Sequence, residues 1–261
     1  MIHWLSLAGV SDAFRFEWKR LMKFPRLAWW VGLAAFAPVI LAIIVSFAGR
    51  PEDHELHDVA IFAYVLAGGC SSVLGLLLVA TPVVYGELEG KTWTYLAVRP
   101  KGKGSVVAGK YLAAVSWSTT AAWLSLAIGA LLVGSSSVAR LWAVMFGMVV
   151  LSNLAIGAAM VFLGVLCLRR AMVFGVLYAL IFEVVIGFVP AVIAKLTANW
   201  HLRAILFNGG DIPVTSEAVR QLVDDGSPIV HAGWLLVYAA AFLTAALWVL
   251  HRRQLVTQQE D

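Results

Sequence analysis

The sequence is poor in charged residues and in cysteine. Asp, Glu, Lys and Arg make up 13% of its 261 residues, whereas hydrophobic residues make up 61%. A soluble domain usually carries about 25% charged residues, so this composition excludes an ordinary soluble globular protein and indicates a polytopic membrane protein. The two cysteines, Cys70 and Cys167, fall within apolar segments. We expect two free buried thiols rather than a redox or metal pair.

Recognisable catalytic motifs are also absent from the sequence. It contains no nucleophile elbow, no paired aspartate motif, and no Ser, His and Asp set that would meet at one membrane face. Residues 104–110 fit the spacing of a P-loop, but Tyr111 follows where a P-loop needs Ser or Thr for the metal, and no strand is predicted before it. We therefore expect that the chain alone is not an enzyme, binds no cofactor and does not hydrolyse ATP.

Six apolar segments are long enough to cross a bilayer, which takes about 20 helical residues. They cover residues 27–48, 59–84, 106–133, 141–168, 171–194 and 229–250. Fourteen Lys and Arg residues fall on the side of the N-terminus, and five fall on the other side, which carries a long outer loop at 195–228. Because basic residues accumulate in cytoplasmic loops, we expect both termini in the cytoplasm.

The segment at residues 11–25, ahead of the first span, is predicted to form an amphipathic helix capped by Ser11 or Asp12. Apolar residues recur there at helical spacing, and basic residues line the opposite face. Phe14, Trp18, Leu21 and Met22 form the apolar face, and Arg15, Lys19 and Lys23 form the basic face. We expect this elbow helix to lie in the membrane interface with its cations toward anionic headgroups, either framing a docking surface or only anchoring the topology.

A polar island at residues 86–100 separates the second span from the third. After Gly86 it contains Glu87, Glu89, Gly90, Thr92, Trp93, Tyr95, Leu96, Arg99 and Pro100, and Gly109-Lys110 follow in the third span. Acidic residues near the start of a short helix favour its dipole. In order and spacing, most of these residues match the first cytoplasmic loop of ABC-2-type transporter permeases, which the chain resembles. One departure is that the glycine occupies position 90, one place early, with Lys91 in its usual position.

This resemblance implies an all-α integral membrane protein with six transmembrane helices, an N-terminal interfacial amphipathic helix and a short cytoplasmic coupling helix, as in type V exporters. Residues 1–261 would form a single ABC-2-type transmembrane domain, closest in layout to NosY-like permeases. The island, called the coupling loop below, would seat in a cleft of a separate ATPase subunit through Thr92, Trp93, Tyr95 and Leu96. Two ATPase subunits, which bind ATP and Mg, and a second permease copy would complete the exporter in the bacterial inner membrane. We favour a homodimer over a heterodimer.

Two other functions remain open from the residues themselves. A membrane scaffold or sensor without transport would use the island to dock something other than an ATPase. An intramembrane lipid-processing enzyme would need polar catalytic residues gathered at one membrane face, and the sequence offers no such set.

Glu183 is the one acidic residue near the middle of a predicted span. A charge at that depth is costly, so its side chain is expected to face protein or water rather than lipid. The same span carries a ridge of small residues at a spacing of four around it, with Gly175, Ala179 and Gly187. We interpret Glu183 as lining the transport pathway or a dimer seam. In the alternative interpretation, Asn153 or Ser116 of a neighbouring span satisfies a protonated carboxyl.

Two histidines, His54 and His57, lie among four carboxylates in the first outer loop. Such groups can ligate a transition metal, but their spacing matches no metal-site signature. They are weak metal candidates, and an acidic, solvated outer loop without a metal is the stronger expectation.

Overall fold

The computed structural model describes residues 6–49, 55–93, 95, 101–133, 138–188, 192–210, 212 and 226–253. Within these ranges the chain is almost entirely helical and forms no strand. The all-α class predicted from the sequence is confirmed.

The helices follow one another with short connections. The α-helices are α1 (Leu7–Leu21), α2 (Phe24–Ala48), α3 (Leu56–Tyr64), α4 (Ser72–Val79), α5 (Tyr85–Glu89), α6 (Gly102–Val133), α7 (Ala139–Leu166), α8 (Ala171–Tyr178), α9 (Ala198–Gly209) and α10 (Pro228–Arg252). π-Helical turns at Val65–Ser71 and Ala179–Val185 join α3 to α4 and continue α8, and 3-10 turns lie at Leu168–Arg170, Ile186–Phe188 and Val192–Leu196.

Five helical stretches of the described residues are long and apolar enough to cross a membrane. They are Phe24–Phe47, Leu56–Val79, Gly102–Val133, Ala139–Leu166 and Pro228–Arg252. They correspond to the first four predicted spans and the last one, with boundaries shifted by a few residues. The fifth predicted span is helical from Ala171 to Phe188, but α, π and 3-10 turns succeed one another within it. The count of six transmembrane helices therefore stays a prediction.

The π turn in the second span lies at a pair of glycines. The ring of Tyr64 covers Gly68 so closely that an added Cβ would lie 2.7 Å from the tyrosine Cε2. Glycine removes this clash and gives the backbone freedom to widen its turn. π-Helical turns within α-helices are rare and often occur at functional sites, and the second one, Ala179–Val185, contains Glu183.

Helix α7 lies at the centre of the bundle. It is the most buried of the five spans, whereas α2 is the least buried. Met145, Met148 and Met160 of α7 are fully enclosed, and α6, α10, α8 and α9 pack around it. Helix α9, which belongs to the predicted outer loop, is thus part of the bundle, with Trp200, Leu202 and Leu206 buried.

A short chain of hydrogen bonds ties three helices together inside the core. The Ser72 hydroxyl donates to Oδ1 of Asn153 at 2.8 Å, and Nδ2 of Asn153 donates to Oγ1 of Thr119 at 2.9 Å. Because buried polar groups are costly unless they are paired, this chain fixes how α4, α6 and α7 meet. It also occupies Asn153, one of the partners predicted for Glu183.

Both cysteines are free, as predicted, but their expected burial is wrong. Cys70 is exposed and Cys167 is half-buried. An apolar segment shows only that a residue lies in a span, and the lipid-facing side of a span is as apolar as its buried side.

Helix α1 begins earlier than predicted. Ser6 caps it, since its hydroxyl accepts the N–H of Gly9, so the predicted caps Ser11 and Asp12 lie inside the helix. Phe14, Trp18 and Leu21 pack with Leu33 and Trp117 in a small apolar cluster. The prediction that this face lies in the acyl boundary is wrong for these residues, because α2 and α6 cover it.

Candidate functional site

The coupling loop begins with one short helix. Helix α5 ends at Glu89, and the N–H of its capping residue Gly90 donates to the carbonyls of Gly86 and Leu88. Lys91 follows with a left-handed φ of 54°, a conformation that costs an L-residue with a side chain but not glycine. Lys91 occupies the position where the family pattern has its glycine, so the shifted glycine leaves a lysine in a strained turn.

The carboxylate of Glu87 is the centre of contacts in this loop. It is buried, and Nζ of Lys110 donates to its Oε1 at 2.5 Å. The hydroxyl of Thr92 donates to Oε2, and Nη1 of Arg20 lies 3.6 Å from Oε1. Lys110 also donates to the Val83 carbonyl at 3.1 Å. The loop is therefore fastened to the third span, α6, by a buried ion pair.

Two opposing effects set the protonation of Glu87. Burial raises the pKa of its carboxyl, but the hydrogen bonds from Lys110 and Thr92 and the positive charges of Lys110 and Arg20 lower it by more. The net pKa of Glu87 lies below its ordinary value. The carboxylate is thus charged at neutral pH and holds its partners as an anion.

Gly109, beside Lys110, lies where the elbow helix approaches α6 most closely. A Cβ at this position would lie 2.6 Å from Cβ of Ala13 and 2.7 Å from the Val10 carbonyl oxygen. Any side chain would push α1 away. The Gly109-Lys110 pair therefore has two roles: the glycine leaves room for α1 to contact α6, and the lysine binds the loop through Glu87.

Helix α1 is also joined to the loop by charge. Glu17 is buried, with Nη1 of Arg26 at 3.2 Å and Nη1 of Arg20 at 3.6 Å. Arg20 in turn faces Glu87. We did not predict these roles of Glu17, Arg20 and Lys110. A signal was present in the sequence, because Glu17 lies three residues after Phe14 and four before Leu21, on the apolar face of the helix.

The predicted coupling residues divide into an exposed set and an anchoring set. Glu89, Gly90 and Tyr95 are exposed, Tyr95 with 78% of its surface accessible. Trp93 has only 2% of its surface accessible and belongs to the main core, so the prediction that it inserts into a partner is wrong. Thr92 belongs to both sets, since the residue is exposed but its hydroxyl donates to Glu87. Leu96, Arg99 and Pro100 lie outside the described residues.

A cavity of about 570 Å³ opens between α1, the coupling loop and the start of α6. Asp12 and Phe16 line one wall, Tyr95 lines another, and Glu87 and Lys110 also border it. Phe16 and Tyr95 are largely exposed, so aromatic surface flanks the cavity on both sides.

The basic face of the elbow helix is exposed, as predicted. Arg15, Lys19 and Lys23 are all accessible. Trp18, on the opposite side, is half-buried and stacks on Phe14 with ring centroids 5.8 Å apart.

Glu183 is buried, and its carboxylate is satisfied within the chain. The Tyr178 hydroxyl lies 2.7 Å from Oε1, and the Asn199 N–H donates to Oε2 at 2.9 Å. Nδ2 of Asn199 donates to the Glu183 carbonyl at 3.0 Å, and the Tyr178 and Tyr238 hydroxyls are 2.6 Å apart. Glu183 thus holds the first turn of α9 and links it to α10. The predicted partners Asn153 and Ser116 are wrong, because α9 folds back to this depth.

The small-residue ridge around Glu183 faces the chain's own helices. A Cβ on Gly175 would lie 2.7 Å from Cδ2 of Leu77 and 3.1 Å from Sδ of Met160. Gly187 faces Asn199, and Ala179 is half-buried. The interpretation of this ridge as a dimer seam is wrong, since intramolecular packing occupies it.

The weak metal candidates gain no support. His57 is half-buried in the first turn of α3, and His54 lies outside the described residues. Nowhere among the residues that the structure describes do three or more His, Cys, Asp or Glu side chains group as metal ligands.

Comparison with protein families gives a match. The family model described as an ABC-2 family transporter protein matches residues 13–194, which include most of α1, the coupling loop, α6, α7 and Glu183. No curated protein matches the chain.

Proposed function

Because the chain belongs to the ABC-2 family of transporter proteins, we propose that it forms the substrate pathway of an exporter driven by separate ATPase subunits. The family supplies the multi-pass membrane permease of ATP-binding cassette transporters and is non-catalytic. ATP and Mg²⁺ therefore belong to the partner subunits. The sequence supports this division, since the P-loop-like residues 104–110 lie within the continuous helix α6 and lead into Tyr111.

The observation that carries the coupling proposal is the buried Glu87–Lys110 pair. A loop can pass force to a membrane span only if it is firmly attached to that span. Lys110 binds Glu87 at 2.5 Å, while Glu89 and Tyr95 remain exposed nearby. The loop thus has an attached base and an accessible surface, and we assign that accessible surface, together with Leu96, to contact with the ATPase.

We extend the proposal to the whole assembly. Two copies of this permease, as a homodimer, bind two ATPase subunits in the bacterial inner membrane, with both termini in the cytoplasm. The distribution of Lys and Arg, fourteen against five, supports this orientation. Helix α1 contributes its exposed basic face, Arg15, Lys19 and Lys23, toward anionic headgroups beside the ATPase.

Co-purification tests the proposal. The chain is expressed with candidate ATPase subunits encoded beside it, extracted in mild detergent and captured by an affinity tag. We expect one ATPase to co-purify with the wild-type chain. Tyr95→Asp or Leu96→Asp should reduce its recovery about tenfold, as for loss of one interface anchor, while the permease stays monodisperse.

A matched control uses the same chemical change outside the loop. Leu7, at the start of α1, has 89% of its surface accessible, and Leu7→Asp should leave recovery unchanged. Absence of every ATPase from a folded, monodisperse permease would contradict the transporter subunit and favour a scaffold or sensor. Normal recovery with both loop variants would contradict the coupling assignment alone.

A further inference from the structure

Five charged side chains form a continuous chain of ion pairs across four elements. Arg26 of α2 lies 3.2 Å from Glu17 of α1, and Arg20 of α1 lies 3.6 Å from both Glu17 and Glu87. Lys110 of α6 completes the chain at 2.5 Å from Glu87. Three cations thus alternate with two carboxylates, and each carboxylate contacts two cations.

The links of this ion-pair chain differ in their exposure. The side chains of Lys110 and Glu87 are each 9% accessible, whereas that of Arg20 is 37% accessible. A buried pair is costly to break because either charge alone would be left without compensation. The half-exposed Arg20 link reaches water and is weaker than the buried Lys110–Glu87 pair.

Apolar packing holds α1 on α6 but does not extend to the exposed part of the loop. Gly109 brings the backbone of α1 into contact with α6, and Leu21 and Trp117 close the apolar cluster beside it. Between α1 and the loop lies the cavity bordered by Phe16 and Tyr95. Arg20 therefore connects α1 to the loop beside this cavity.

We propose that Arg20 is a positioning residue for coupling: through Glu87 it makes α1 and the coupling loop respond to the ATPase as one unit. This inference rests on the proposed function. When the loop is displaced by the ATPase, the Arg20 link carries the displacement to α1, and Glu17 and Arg26 carry it on to α2. Without Arg20 the loop still docks, but α1 no longer follows it.

Hydrogen–deuterium exchange on the full chain in lipid nanodiscs tests the link directly. In the permease alone, Arg20→Gln should speed exchange of the loop amides at residues 85–93 about fivefold, the size expected for loss of one half-exposed ion pair. Arg20→Lys should restore most of the protection. Lys19→Gln removes the same charge from the accessible face of α1 and should leave loop exchange unchanged.

A second measurement tests the same link in the wild-type chain and uses Arg20→Gln only as a reference. High salt screens an exposed ion pair. Raising NaCl from 0.1 to about 1 M should speed loop exchange in the wild-type chain, and Arg20→Gln should show little further effect of salt. Equal loop exchange in Arg20→Gln and Lys19→Gln, or no salt effect in the wild-type chain, would overturn the link.

The transmission step is tested with the captured ATPase. Adding ATP and Mg²⁺ under non-hydrolysing conditions should change exchange in both α1 and the loop of the wild-type complex. In the Arg20→Gln complex, nucleotide should change amide exchange in the loop but not in α1. If Arg20 had a purely structural role, exchange in α1 and in the loop would still change together. Independent responses of α1 and the loop in the wild-type complex would overturn the proposal.

Failure to capture any ATPase would count against the proposed function. The measurements on the permease alone would still decide whether Arg20 joins α1 to the loop.

Discussion

Gly109 and Ala13 lie so close that a Cβ on the glycine would be 2.6 Å from Cβ of the alanine. Real Cβ atoms do not approach at that distance, so α1 rests directly on the backbone of α6. The same glycine precedes Lys110, which binds Glu87. One short stretch of α6 therefore positions both the elbow helix and the coupling loop.

Gly109→Ala should destabilise the permease by about 1–3 kcal/mol, because overpacking forces backbone shifts in α1. Gly147→Ala is the matched control, since no atom outside the helix's own nearby backbone lies within 4 Å of an added Cβ there. Alanine favours helix over glycine by up to about 1 kcal/mol, so the control should be neutral or stabilising. Thermal unfolding in detergent gives both values, and the same direction of change in the two variants would contradict the close contact.

Lys91→Gly should stabilise the coupling loop by up to about 1 kcal/mol. Lys91 has a φ of 54°, which glycine adopts without strain. Lys91→Ala is the control, because it removes the charge but keeps the Cβ. Slower amide exchange at residues 85–93 in the glycine variant alone would establish strain; an equal change in both variants would point to charge instead.

Acid should release the loop. The pKa of Glu87 is lowered in the folded chain, despite burial, by its hydrogen bonds and by the charges of Lys110 and Arg20. A carboxyl with a lowered pKa contributes stability above its unfolded pKa of about 4.3, and loses that contribution as pH falls through the folded value. The difference in thermal midpoint between the wild-type chain and Glu87→Gln should therefore be largest near pH 7 and shrink below about pH 4.3. A difference independent of pH would contradict a stabilising anion.

Glu183→Ala should be more destabilising than Glu183→Gln. Alanine leaves the Asn199 N–H without its acceptor, at about 1–3 kcal/mol, and leaves the Tyr178 hydroxyl with Tyr238 as its remaining partner. Glutamine retains one acceptor oxygen. The effect of Glu183→Ala should be smaller in a Tyr178→Phe background, which removes one of those donors, and thermal unfolding of the four proteins measures the coupling. Strict additivity would argue against a direct contact.

Trp93→Ala should destabilise the permease in the absence of any ATPase, by about 3–5 kcal/mol, because the side chain fills the main core. Tyr95→Asp should leave the thermal midpoint of the permease alone unchanged, because Tyr95 is largely exposed. If Tyr95→Asp destabilised the permease more than Trp93→Ala, Trp93 would instead be assigned to the surface that faces the partner.

Hydropathy located the spans because a helix must have a minimum apolar length to cross lipid. The predicted bounds agree to within a few residues with the helices α2, α3–α4, α6, α7 and α10. It could not find the π turns of the second and fifth segments. A π turn leaves composition unchanged, and the apolar residues around Glu183 fit any helix type. The NosY-like layout, the dimer and the membrane orientation remain predictions.

The ends of α1 depended on contacts far along the chain. Ser6, Ser11 and Asp12 are all acceptable caps by residue type. Ser6 is the cap, and its N–H donates to Oγ of Ser105 at 2.9 Å, a contact across 99 positions. Glu87 also depends on a contact that the local sequence does not reveal. Its charge was evident from the sequence, but its pairing with Lys110 requires the second and third spans to be packed side by side.

The widened turn at Val65–Ser71 has a consequence for every residue that follows it in the second span. One additional residue in a turn rotates the rest of a helix by about 100° relative to an uninterrupted α-helix. In this rotated register Ser72 faces Asn153 and Gly75 faces Ser118. Deleting a single residue from the turn would rotate the C-terminal half of the span by about 100° and turn Ser72 and Gly75 away from these partners, although the hydropathy profile would scarcely change.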